Sequence, residues 1–573
     1  MADQKLENLL ELAFDTPQNM REKSENLSAG YDAENNTWEV VVKYSGDLSE
    51  LATRYPTVTS LLGGYAVFVV TQEQLEQLSK EPRVEYIEKA KELSFTVKEG
   101  KLVSCIPSVQ REPYELTGSG IIVAIIDSGI DVFHPDFRNE DGTTRIIGIW
   151  DQSVNTGTPP EGYNQGTYFT KDAIDEILVS ETNAPTTDSS GHGTHVAGIA
   201  VGNGRASGGE NRGVAYEADI LVVKLRGARG DNFPQTTGLM LGIDFCVRKA
   251  IELNQPLALN LSYGNSYGAH DGSTLLETYL DYVAGVGRTT ICIGSGNEGN
   301  QKRHATGRLV LGTDYQIEFV VAPGEFSLPI QIWKNYADEF EITLLAPSGE
   351  TVVLSENSQG AYRYVLDGTE ILWYFGEPAP YSANQEIYFE LLPEGLLTNV
   401  RSGIWKLKFS PKRIVEGSFE LWMPSGSSIN EETGFLVPSI ETTITIPATA
   451  MKPITVAAYN SNTRSLAPFS GRGFVCCNLV KPDLAAPGVD ILSCAPGGGY
   501  TIKSGTSMAC PFVTGSAALL MEYGIIRQQD PYLYGEKVKA YLIKGARPLD
   551  VFTEYPNENI GWGTLCVRDS LPG

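Results

Sequence analysis

Four uninterrupted apolar runs, each short and each set apart from the next by a helical pattern, leave this chain few folds to choose from. They are IIVAIID after a Gly turn at 118–120, ILVVKL within 218–225, PLALNLS at 256–262 and TTICIGS at 289–295. A strand with one wet face alternates apolar and polar residues. A run without alternation is buried on both faces, as in a parallel sheet covered by helices. Helical patterns at 236–254 and 273–287 supply the covers. The expectation is an α/β fold with a doubly wound parallel sheet, in which ligands bind beyond the carboxyl ends of the strands.

The texture changes from 303 to 445, where short β-like runs such as YQIEFVVAPG, FEITLLAPSGE and GSFELWMPSG alternate with turn residues. No amphipathic helix of useful length interrupts them, which predicts an inserted all-β domain of jelly-roll-like type. The α/β pattern resumes with KPITVAAYN (452–460) and closes with GEKVKAYLIKGARPL (535–549). Ahead of the first run, WEVVVKYSG, GGYAVFVVT and the helical TQEQLEQLSKEP predict a small α+β unit. The predicted divisions are 1–96, 97–302, 303–445 and 446–573, and 573 residues suit about three or four domains.

Charge narrows the function classes. Acidic residues number 70 against 44 basic ones, a net charge of −26. Nucleic-acid binding needs a basic face, so no nucleic-acid partner is expected. No run approaches the ~18 apolar residues of a membrane span, so no membrane partner is expected either. The opening MADQKLENLLELAFD lacks an apolar core with a basic flank, so no signal peptide is expected; synthesis in the cytoplasm is the expectation. Eight cysteines in such a chain make no disulfide framework, and without export reduced thiols are the default.

Three stretches can carry chemistry. Ser507 stands in KSGTSMACPF, where the residues alone allow a nucleophile or a polar residue at a helix start. The chain has five histidines, two of them in SSGHGTHVAGIA; His192 is flanked by glycines, which suits a cleft or simply a helix start. Asp127 ends the first apolar run, where α/β sites form, or where an Asx turn closes a strand. A Ser hydroxyl needs a base within hydrogen-bond reach, and the base needs a partner that fixes its tautomer. The chain order Asp127, His192, Ser507 differs from the Ser, acid, His order of α/β-hydrolases, and GTSMA has alanine where their G-x-S-x-G has its last glycine.

Together, VAIIDSGID, GHGTHVAGI, SGNEG and KSGTSMACP resemble the subtilisin family of serine proteases over roughly 110–302 and 446–573. The resemblance implies a subtilisin-like fold and a serine endopeptidase acting through an acyl-enzyme. It implies that Asp127 orients His192, that His192 is general base and then acid, and that Ser507 is the nucleophile. Asn297 and the Ser507 backbone N–H would form the oxyanion hole, and His195 would be a packing residue. Ser262, Tyr263 and Gly264 would make one wall of the substrate pocket, and Gly294, Ser295 and Gly296 the other. Pro511 would cost little near a helix start, and Cys510 would be a small packed residue.

The N-terminal unit resembles the family's propeptide, an inhibitor and folding aid. This implies self-cleavage between Ser94 and Lys98, with Thr96 and Val97 flanking the cut and the cleaved propeptide retained as a partner. A propeptide followed by a β insertion after the Asn motif is similar to the Csp proteases of clostridial spore formers, which implies spore association and activation of a cortex-lytic zymogen; the alternative is a resemblance to general peptidases of gut bacteria with the same shape. No cofactor is expected. Asp136 matches one calcium-ligand position of secreted subtilisins, but the loop after GHGTHVAGIA lacks their Asn-rich stretch, and one ligand makes no site. A second reading is a silent or propeptide-blocked regulatory scaffold. The insertion aromatics Trp333, Tyr336, Trp373 and Trp422 could bind sugars or fill a core, and the insertion could clamp the propeptide.

Overall fold

The computed structural model describes residues 5–21, 24–33, 35–55, 57–90, 101–180, 186–227, 234–354, 361–474 and 479–572. The chain divides into two compact units. The larger holds Phe95–Gly264, Leu276–Gly299 and Thr443–Gly573. All four apolar runs form strands here: Ile122–Asp127, Asp219–Lys224, Leu257–Leu261 and Thr289–Gly294. Ile122–Asp127 runs parallel to Asp219–Lys224 on one side and to Leu257–Leu261 on the other, and Thr289–Gly294 follows beyond the latter. Ile454–Asn460 and Ile146–Asp151 extend the sheet on either side, also in parallel. The second of these, IIGIWD, went unread in the sequence because it is set among turn residues.

Every residue of Ile122–Asp127 is buried, which is why the run shows no alternation. Val123 and Ile125 enter a core with helices His192–Val201 and Thr506–Met521. On the opposite face, a Cβ at Gly242 of helix Thr236–Glu252 would come within 3.4 Å of Ile126. Covering both faces of the sheet with helices is what a doubly wound fold requires. The helical stretch Thr506–Ile526 is long and apolar enough to pass for a membrane span, yet all sixteen residues of its Thr506–Met521 part are buried in the protein.

One expectation about the thiols fails. Cys105 and Cys566, 461 positions apart, form a disulfide. Packing brings them together: the Val567 N–H donates to the Ser104 carbonyl at 3.0 Å, and the Cα atoms stand 5.0 Å apart. Cys246, Cys292, Cys494 and Cys510 are free and buried.

The other unit comprises Met1–Ser94, Asn265–Leu275 and Asn300–Thr442. Thr37–Tyr44 is flanked by antiparallel strands Tyr65–Val70 and Val84–Lys89. Helix Asn8–Asp15, unread in the sequence, buries Leu9, Leu10, Leu12 and Ala13. The insertion folds as two antiparallel sheets, of six and five strands, closed around a shared apolar core. Asn265–Leu275, assigned from the sequence to the α/β part, belongs here instead. Gln331 accepts from the Gly268 N–H at 3.0 Å, and Asp271 accepts from Ser382 and Asn384.

Two strands of the insertion, Thr369–Phe375 and Asn384–Pro393, are buried almost end to end. Side chains alternate across a strand. Ile371, Trp373, Phe375, Ile387, Phe389 and Leu391 fill the sandwich core. Leu372, Tyr374, Tyr388 and Leu392 point the other way and complete the core of the N-terminal α+β part. Of the four aromatics in question, Trp373 is core, and Trp422 is buried between the rings of His270 and His304. Trp333 is half-buried and Tyr336 is exposed. Because Leu392 has no exposed surface, Leu392→Ala should cost about 2–5 kcal/mol, seen as a lower unfolding midpoint in calorimetry.

Candidate active site

The site is assembled at the carboxyl edge of the larger unit's sheet. Asp127 is the last residue of its strand and is fully buried. Its Oδ1 accepts from His192 Nδ1 at 2.7 Å and from the Ser128 N–H at 2.7 Å. Asp127 Oδ2 has no hydrogen-bond partner among the described residues. The carboxylate is thus aimed at one imidazole nitrogen, which fixes the tautomer that leaves Nε2 basic.

His192 opens helix His192–Val201. The helix must pass very close to the strand. A Cβ at Gly193 would stand 2.2 Å from the Gly129 carbonyl and 3.0 Å from Asp127 Cβ, so only glycine fits. Asp188, overlooked in the sequence, fastens this helix start. Its Oδ1 accepts from Ser128 Oγ at 2.8 Å and the Gly191 N–H at 3.0 Å. Its Oδ2 accepts from the Thr194 N–H and hydroxyl at 2.8 and 2.7 Å. Asp188 stands three positions ahead of Gly191, the residue that flanks the helix, so a search for a cap immediately before the helix passes it over.

Ser507 is the second residue of helix Thr506–Met521, so its N–H is among the first four, which have no intrahelical acceptor. Pro511 lies beyond that first turn, which corrects the reading of it as a start-of-helix proline. The N–H it lacks would have bonded the Ser507 carbonyl. Ser262 Oγ donates to that carbonyl instead, at 3.2 Å. Ser507 Oγ in turn donates to the Ser262 carbonyl at 3.3 Å. A buried chain from Thr514 through Asn260 holds Ser262 in place, at 3.0 and 2.9 Å. Next in sequence, Tyr263 has its ring centroid 6.4 Å from that of His192. Ser507 and His192 therefore meet at one dipeptide, Ser262–Tyr263. Burial, then the charges of Asp127 and Asp188, push the Tyr263 phenol well above its ordinary range, so it stays protonated.

Asn297 lies on the next strand's continuation. Its Oδ1 accepts from the Thr506 N–H at 3.1 Å and from Thr506 Oγ1 at 3.4 Å, and Thr506 Oγ1 accepts from the Gly296 N–H at 3.2 Å. The amide oxygen of Asn297 is thus committed to the residue before Ser507. Gly294 is also close, since a Cβ there would meet Thr506 Oγ1 at 3.1 Å. Ser262 thus abuts Ser507, and Gly294 and Gly296 abut Thr506. Thr96 and Val97 lie outside the described residues.

His195, on the same helix as His192, is buried and turns Nε2 to the Ile491 and Thr501 carbonyls at 3.1 and 3.2 Å. Burial, helped by the charge of Lys503, lowers its pKa to about 3, which keeps it neutral. Cys510 is buried with Sγ 3.7 Å from the Leu261 carbonyl.

A cation does not fit at Asp136. Calcium needs about six to eight oxygen ligands with free lone pairs. Here Asp136 Oδ1 accepts from the Ala206 N–H at 2.8 Å, and Oδ2 accepts from Tyr500 and from Cys494. His134, Asp136 and Cys494 stand close enough to share an ion. But His134 Nδ1 accepts from the Asp136 N–H at 3.1 Å, and its Nε2 faces the Gly499 carbonyl at 2.8 Å. Burial also holds the Cys494 thiol well above its usual range, so it remains protonated. The cluster is a closed hydrogen-bond knot.

The model of the subtilase family matches residues 118–324 and 434–563, and the model of the Csp protease B prodomain matches 4–91. The solved structure of the CspB protease of Clostridium perfringens is 36% identical, with a TM-score of 0.75, over 82% of this chain and 96% of that one. The minor extracellular protease Vpr of Bacillus subtilis is 25% identical over 79% of this chain, and the PII-type proteinase of Lactococcus lactis subsp. cremoris is 26% identical over 80%. The chain spans 52% of the length of the first of these two and 25% of the second.

Proposed function

Because the chain belongs to the subtilase family, we propose that it is a serine endopeptidase that first cuts itself and then a protein substrate. The observation that carries this reading is the 2.7 Å contact of Asp127 with His192, together with the Ser262–Tyr263 dipeptide that both His192 and Ser507 approach. Ser507 Oγ attacks the scissile carbonyl carbon and gives its proton to His192 Nε2. The negative charge that develops on the carbonyl oxygen is met by Asn297 Nδ2 and the Ser507 N–H, near the positive end of a helix. Collapse of the intermediate breaks the C–N bond, and His192 returns the proton to the leaving amine. Water then repeats the sequence on the acyl-enzyme. Asp127 keeps the imidazole oriented and offsets its transient positive charge.

The first substrate is the chain's own 94–98 segment, and the N-terminal part stays as a bound partner. Similarity to a Csp prodomain and to the CspB protease supports this, and supports spore association with a cortex-lytic zymogen as target. Neither nucleic acid, membrane nor metal enters the scheme. Treating the full chain with a fluorophosphonate and mapping the adduct by peptide mass spectrometry tests the reading. One adduct, on the peptide holding Ser507, is expected, with a cut between Ser94 and Lys98. An unlabelled, uncut chain would leave the scaffold reading in its place.

A further inference from the structure

The disulfide between Cys105 and Cys566 ties the opening of the larger unit to its close. The opening is a short arm, 101–110. Ile106 and Val109 of this arm are buried in the same core as helices His192–Val201 and Thr506–Met521. Gln110 Nε2 donates to the Val214 carbonyl at 2.7 Å. Val214 in turn donates its N–H to the Ile199 carbonyl at 2.9 Å, and a Cβ on Gly515 would stand 2.5 Å from Val214 Cβ. Through Val214 the arm therefore bears on the helix that carries His192 and on the helix that carries Ser507. At its outer end the apolar side chains lie in water: Leu102 is 83% exposed and Val103 41%. Cys105 follows with φ at +57°, a left-handed conformation that a residue with a Cβ keeps only where its surroundings hold it. Cys566 has no exposed surface and Cys105 is half-buried, so Cys105 is the side of the bond open to a small thiol.

We infer that Cys105–Cys566 is a redox latch on this arm, closed by small-molecule disulfides and opened by small thiols, and that its state sets how long the folded unit survives. On closing, the two cysteine thiols lose two protons and two electrons, and one small disulfide leaves as two thiols. On opening, a small thiolate attacks Cys105 Sγ and expels the Cys566 thiolate. A second small thiolate then attacks the sulfur attached to Cys105, which releases the Cys105 thiolate and one small disulfide. The freed Cys105 relaxes out of its left-handed conformation, and the arm peels away from Val214. Chain ends fray unless they are tied down. A cut in the 94–98 segment would make the arm such an end, so the latch would then hold the part of the enzyme most ready to fray. That last step rests on the endopeptidase reading; the latch on the uncut chain does not.

The test equilibrates the full chain with oxidised glutathione or with dithiothreitol, then alkylates the unfolded samples and maps their peptides by mass spectrometry. The oxidised sample should yield a linked pair holding Cys105 and Cys566, and the reduced sample both cysteines alkylated. Reduction should lower the unfolding midpoint by at least about 5 °C, the scale of losing a native disulfide. It should also speed amide hydrogen exchange in 101–110 and at Val214 by at least about tenfold, as local opening does. Cys105→Ser and Cys566→Ala should match the reduced wild type under both conditions; if either fails to fold, reduction of the folded wild type supplies the same comparison. A linked pair that never forms, or a midpoint and exchange rates that reduction leaves unchanged, overturns the latch. So does a Cys105→Ser midpoint that falls on reduction as far as the wild type's. A chain that shows these shifts but neither labels with fluorophosphonate nor cuts itself overturns the endopeptidase reading and leaves the latch standing.

Discussion

Ser507→Ala is expected to lower kcat by about 10⁶-fold and to leave a single uncut chain of 573 residues. The hydroxyl is the one group that forms the acyl bond. Without it, His192 has no proton to take, and the residual rate comes only from binding and oxyanion stabilisation. The substitution removes the hydrogen bond to the Ser262 carbonyl, while the Ser262 hydroxyl still caps the Ser507 carbonyl. Stability should therefore change little, which a thermal melt of the uncut variant would read as an almost unshifted unfolding midpoint. Intact-mass spectrometry reads the cleavage, and a fluorogenic peptide reads the rate. A variant chain cut between Ser94 and Lys98 as fully as the wild type would show that another group, or another protease, makes that cut.

Asp127→Asn should cost about 10⁴ in kcat while leaving the carboxamide in nearly the same place. Asp127 Oδ1 accepts from both His192 Nδ1 and the Ser128 N–H. An asparagine oxygen keeping those bonds loses the negative charge opposite the imidazolium. An asparagine turned the other way offers N–H to Nδ1 and selects the tautomer whose Nε2 already carries a proton. The first outcome weakens the base and the second removes it. Because His192 is the proton acceptor, part of the lost rate should return as pH rises, through hydroxide acting as base. A kcat profile from pH 6 to 10 checks this. A variant within tenfold of wild type at neutral pH would mean that Asp127 serves only to end the strand.

What the sequence disclosed and what it concealed divide along one line. The four motifs are short and local. Asp127 at a strand end, the glycines around His192, GNEG around Asn297 and GTS before Ser507 each announce themselves within a few positions. The parallel sheet was also legible, because burial on both faces removes alternation from a strand. The concealed features all depend on partners far away in sequence. Pro511 resembled a start-of-helix proline until Ser262 supplied the missing donor. Cys105 and Cys566 could not be paired by spacing. Asn265–Leu275 sat within an α/β pattern, yet its hydrogen bonds lead to Gln331, Ser382 and Asn384.

The two strands that serve two cores have a consequence for what scission can accomplish. Leu372, Tyr374, Tyr388 and Leu392 are as much part of the N-terminal fold as its own Val40, Phe68 and Leu75. Cutting the chain in the 91–100 region would break a covalent link without breaking that apolar seam. The severed product would be a heterodimer in all but origin, held by a shared interior whose dissociation would bare oily surface on both fragments. Dilution, and not hydrolysis alone, would then decide whether the two pieces part company.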